Sequence, residues 1–70
     1  MKLIRSTRAG RFCNVNIYRN AEYDEYVVKA VVGGRVQGGK DGGYFTPDKQ
    51  DARSTAAAEV RRLRRMPACR

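Results

Sequence analysis

From Phe12 to Arg19 the residues alternate: Cys13, Val15 and Ile17 fall on one side of an extended chain, and Phe12, Asn14, Asn16 and Tyr18 on the other. A period of two is that of a half-buried strand, so the first set predicts a core face and the second an open face, polar but carrying two rings. The stretch Tyr26 to Val32, YVVKAVV, is β-branched and nearly continuous in apolar character, the strongest strand signal in the chain. Placing Tyr26, Val28, Ala30 and Val32 inward leaves Lys29 outward beside Val27 and Val31. Between the two strands NAEYDE reads as a turn. Gly33-Gly34 reads as a two-residue hairpin turn, because glycine accepts the positive φ such turns need. A third strand is expected over residues 35–45, with Val36 and Phe45 facing the core. Gly38-Gly39 and Gly42-Gly43 interrupt it and suggest a bulge, a second turn or a flexible loop in which Lys40 can touch a partner.

At Thr46 the period changes. Ala52, Ala56, Val60 and Leu63 recur at spacings of four, four and three, the narrow apolar stripe of a helix over residues 46–65. Thr46 is the expected N-cap, Pro47 the first helical residue, and Asp48 and Asp51 lie near the positive end of the dipole. Arg61, Arg62, Arg64 and Arg65 fill the last turns before Pro67 ends the pattern. The fold expected is α+β: a three-stranded antiparallel sheet in the order 1-2-3, packed against one C-terminal helix whose alanines allow close approach. Residues 12–66 form this single domain. Residues 1–11 are a basic N-terminal arm or a short edge strand, and residues 67–70 a frayed tail.

Seventy residues leave room for one sheet under one helix and make a deep, water-excluding active site hard to build. Fifteen Lys and Arg against seven Asp and Glu give a formal charge of +8, and its distribution is informative. Residues 1–11 hold Lys2, Arg5, Arg8 and Arg11 with no acid; residues 12–46 balance four cations against four acids; residues 47–70 hold seven cations against Asp48, Asp51 and Glu59. Two basic ends that meet in space would attract a phosphate backbone or an acidic protein. Cys13 and Cys69 lack the spacing of a zinc or redox pair. Cys13 reads as a small core residue and Cys69 as part of the tail; joining them needs Cα atoms within about 7 Å. No signal-peptide or transmembrane stretch is evident, so a reduced, cytoplasmic setting is the default.

Catalytic signals are thin. The chain has no histidine, neither cysteine has an identifiable base, and GGKDGG does not match a phosphate-binding loop. The acids Glu22, Asp24 and Glu25 read as a solvated turn. No enzyme activity, cofactor or metal is expected. The basic helix end carries more weight: Arg53, Arg61, Arg62, Arg64 and Arg65, with Lys29 on the sheet, are the candidate phosphate contacts, and Asn14, Asn16 and Tyr18 the candidate base contacts. The alternative is a protein interface made by Phe12, Tyr18, Val27 and Val31 on the exposed sheet face, closing a homodimer or docking an acidic partner.

The stretch YFTPDKQDARSTAA, with its Tyr44-Phe45-Thr46, Asp48-Lys49, Asp51-Ala52 and Thr55-Ala56 elements, resembles a pattern in uncharacterised small bacterial proteins, some associated with phages or plasmids. The Tyr26-Val27-Val28 strand fits the same resemblance, which spans about residues 12–62 and implies no assigned activity. At fold level, three antiparallel strands followed by a helix are similar to the DNA-binding modules at the front of some phage integrases. The expected function is a small non-enzymatic binding protein, with DNA or RNA as the leading partner and no membrane association.

Overall fold

The computed structural model describes residues 1–39 and 42–69. Five strands, β1 (Lys2–Gly10), β2 (Cys13–Asn20), β3 (Glu25–Val32), β4 (Arg35–Val36) and β5 (Tyr44–Thr46), precede the helix α1 (Lys49–Arg64) and a 3-10 turn, Pro67–Cys69. The sheet is antiparallel in the order β1-β2-β3-β4, with β5 also paired to β3. The expected α+β architecture is present, with β2 and β3 where the alternation put them. The third strand is split. β4 pairs with the Val31–Val32 end of β3 and β5 with its Tyr26–Val28 end. Residues 37–39 and 42–43 between them belong to neither strand; Lys40 lies outside the described residues.

The N-terminal segment is a nine-residue edge strand rather than an arm. Register shifts between Leu3 and Arg5 and between Arg8 and Gly10 mark two bulges. A bulge inserts one residue and re-aims those after it. Here the first leaves Ile4 unpaired, and the second turns Ala9 into the core, where it is fully buried. The pairs Arg5 with Ile17 and Thr7 with Val15 place Arg5 and Thr7 on the helix side of the sheet.

The core lies between that side and α1. Cys13, Val15 and Ile17 of β2 and Val28 and Ala30 of β3 meet Ala52, Ala56, Val60 and Leu63, with Tyr26 and Val32 packed at the margin. The inward sets and the helical stripe are those the two periods predict. Burial of these side chains contributes about 25 cal/mol per Å² of apolar surface removed from water. Among the described residues no helix is long and apolar enough to cross a membrane.

α1 starts later than expected. Asp48, not Thr46, is the N-cap: its β-region backbone and its Oδ1, which accepts from the Gln50 amide at 2.9 Å, satisfy one of the orphan N–H groups of the first turn. Thr46 belongs to β5, is buried opposite Tyr26, and accepts the Asp48 amide on its Oγ1 at 3.2 Å. Pro47 thus precedes the cap, because Thr46 is committed to the sheet.

The C-terminal turn corrects the frayed tail. Cys69 is buried and joined to Cys13 by a disulfide across 56 residues, with Cα atoms 5.5 Å apart. The distance that a bond between them needs is met, and Cys13 is the core residue expected. The Arg11 amide donates to the Cys69 carbonyl at 2.8 Å, and a Cβ on Gly10 would sit 2.0 Å from that same oxygen. Only glycine lets the β1–β2 hairpin come this close to the C-terminal turn.

Candidate nucleic-acid interface

Along α1, Arg53, Ala57, Arg61 and Arg64 follow one another at spacings of four, four and three, and so share the flank of the helix that faces β1. The inward register of β1 sets Arg5 opposite them. Between strand and helix runs a cleft floored by Ile17, Ala56 and Val60 and rimmed by Arg5, Thr7, Arg53, Arg61 and Arg64. It continues toward the helix N-terminus, past Arg53 to Lys49, Arg19 and Tyr26, in a section of about 420 Å³. Among the described residues no acidic side chain lines either section. Arg5, Lys49, Arg53, Arg61 and Arg64 make no ion pair among the described residues. The acids of the helix lie elsewhere, Asp51 accepting from the Tyr44 hydroxyl at 2.6 Å and Glu59 pairing with Arg62. Of the four cations in residues 1–11, Arg5 alone lines this cleft, where it meets Arg53, Arg61 and Arg64; Arg8 and Arg11 lie elsewhere.

Arg19 is held differently from its neighbours. Its Nη1 donates to the carbonyls of Asn20 and Glu25, both at 3.1 Å, its Nη2 pairs with Asp24, and its guanidinium carbon lies 5.0 Å from the Tyr26 ring centroid. A guanidinium with so many partners is a fixed flat wall, not a free fork for phosphate.

The remaining candidates separate onto other surfaces. Arg62 points away from the cleft: its Nε donates to Glu59 at 2.6 Å, its Nη1 contacts Met66 Sδ at 3.6 Å, and its Nη2 binds Gln37 Oε1. Arg65 is the exposed C-cap. Lys29, Asn14, Asn16 and Tyr18 are on the open face of the sheet, with the whole sheet between them and the cleft. There Ser6 Oγ donates to Asn16 Oδ1 at 2.7 Å, Asn14 Nδ2 to the same oxygen at 2.8 Å, and Asn16 Nδ2 to Tyr18 Oη at 3.2 Å. Lys29 Nζ stands 5.9 Å from the Tyr18 ring centroid.

The expected apolar interface is altered more. Val27 is fully buried, between Tyr18 and Phe45 in register, and so is not an exposed contact. Phe12 is not a strand residue; it sits in the β1–β2 turn at φ 60°, 73% exposed. A bulky residue in the left-handed region is uncommon. Val31 and Tyr18 are half-buried. Phe45 and Val36, expected in the core, instead pair with Val27 and Val31 of this face. Phe45 is 49% exposed here, as is Leu3, which the pattern did not single out.

Arg5, Lys49 and Arg19 were missed as site residues. For Arg5 the missing knowledge was the register of β1, since a one-residue slip sends a side chain to the other face. The chain matches no protein-family model, no curated protein and no solved structure.

Proposed function

We propose that this chain is a small, non-enzymatic nucleic-acid-binding protein whose phosphate contacts are made by Arg5, Arg53, Arg61 and Arg64. The observation that supports this most is their convergence, from β1 and from the helix, on one cleft with no acid in its lining among the described residues. Cations held at fixed spacing beside a low-dielectric floor raise the local concentration of a polyanion and release its counterions on contact. If four phosphates are neutralised, affinity falls about 50-fold for a single strand, and about 150-fold for a duplex, between 50 and 200 mM salt.

The test is fluorescence anisotropy of labelled oligonucleotides at those two concentrations. Replacing Arg61 and Arg64 by Ala should weaken binding to every sequence and flatten the salt dependence. Arg62→Ala, which removes a cation already paired with Glu59, should leave both nearly unchanged. Equal losses from the two sets, or binding indifferent to salt, would overturn the proposal.

A second reading has its own support in Leu3 and Phe45, exposed together on the open sheet face beside Tyr18. Such a face suits a protein partner or a second copy of the chain. Phe45→Glu should then dissolve a dimer seen by light scattering; a monomer at every concentration tested, with no change on mutation, would leave only a partner of another kind.

A further inference from the structure

We infer that the cleft takes unpaired bases, so that the ligand of this chain is single-stranded nucleic acid. The inference rests on the nucleic-acid reading above and specifies its partner. Three observations carry it. The floor is apolar: Ile17, Ala56 and Val60 lie between the helix row Arg53, Arg61 and Arg64 and the single cation Arg5 of β1, where a site for phosphate alone needs only the rim. The small side chain of Ala57 lines the helix wall between Arg53 and Arg61 and leaves the space above that floor open. At the far end stand Tyr26 and the immobilised guanidinium of Arg19, an aromatic ring and a flat cation already ordered before any ligand arrives.

This is the arrangement that single strands use. Backbone phosphates follow a positive groove while bases, free to leave the stack, bury their faces on aromatic, guanidinium and apolar surfaces. A duplex keeps its bases paired and stacked, and offers the cleft its outer phosphates only. The floor would then go unused, and each base that does enter is worth about tenfold in affinity. Stacking is blind to the sugar, so the cleft selects strandedness more strongly than DNA over RNA.

The experiment compares four labelled 12-residue probes against the oxidised 70-residue chain at about 100 mM salt: oligo-dT, oligo-rU, a DNA duplex, and an abasic DNA of the same length. The expected result is that both base-bearing single strands bind at least tenfold more tightly than the duplex and the abasic strand. Ala57→Leu, an exposed helical position where leucine is well tolerated, fills the cleft without changing charge. It should weaken oligo-dT and oligo-rU several-fold, with an unchanged salt slope and an unchanged melting temperature. An abasic strand or duplex that binds as tightly as oligo-dT overturns the inference and leaves the phosphate contacts standing, and so does an Ala57→Leu variant that binds as the parent does. Failure of all four probes to bind, at 50 mM salt as well, overturns the nucleic-acid reading itself.

Discussion

Replacing Cys69 by Ser, or reducing the bond it makes with Cys13, frees the C-terminal turn from the β1–β2 hairpin. The two cysteines are 56 residues apart, so the cross-link closes nearly the whole chain into a loop. In the chain-entropy account, a loop of this length restricts the unfolded ensemble by about 4 kcal/mol at 25 °C. A domain of this size is stable by only about 4–10 kcal/mol in all. The bond therefore supplies a large part of the margin. At about 4–8 °C per kcal/mol for a domain this small, its loss should lower the melting temperature by about 15–30 °C. The assay is thermal unfolding followed by far-ultraviolet circular dichroism, with and without reductant, on the parent and on a Cys13→Ala/Cys69→Ala variant. The parent should shift on reduction, and the variant should melt low under both conditions and show no response to reductant. A parent whose melting point moves by less than about 5 °C would refute the loop-closure reasoning. Two titratable thiols in the unreduced, denatured protein would refute the bond.

Other residues give separate tests. Val27→Asp places a carboxylate at a fully buried position and should unfold the domain rather than detach a partner, as seen in the loss of cooperative melting. Asp48→Ala removes the acceptor of the Gln50 amide and should cost about 0.5–2 kcal/mol in urea unfolding, whereas Thr46→Ala disturbs β5 and the hydroxyl that accepts the Asp48 amide. Tyr44 donates to Asp51, and this hydrogen bond, then the Asp51 charge, raises its pKa above the ordinary 10.0. Because the folded value exceeds the unfolded one, the contribution is fully present below pH 10 and is lost as pH climbs through the raised value. Stability of the parent should thus fall more steeply than that of Tyr44→Phe above pH 10, and parallel curves would contradict the assignment.

How far the sequence carried the fold depended on period. Cys13, Val15 and Ile17, and the stripe from Ala52 to Leu63, were legible because alternation and helical spacing are local properties of a chain, and both were regular. β1 was not, because Leu3 and Ile4 are adjacent and two bulges break its alternation. The split third strand was foreshadowed by its glycines, but where the chain rejoins β3 depends on pairing at a distance. Val27 shows a limit of facing arguments: it points to the open side, yet neighbours on that side bury it. For the site, charge counting located both basic ends and identified Arg53, Arg61 and Arg64. That Arg5 stands across from them, while Lys29 and the asparagines do not, follows from sheet register, which no count of charges contains. The disulfide was beyond reach for the same reason, since spacing along the chain says nothing of distance across it.

The bulges of β1 also decide where the sheet stops. An outermost strand offers its free amides and carbonyls to any passing strand, and a flat edge of this length invites endless addition. Here regular pairing runs unbroken only from Arg5 to Arg8, between the two shifts, and both ends of that window are cationic. A second β1 laid antiparallel against it would find only these four residues in regular register. The border that gives the cleft one of its cations is thereby also a short and interrupted template for another strand.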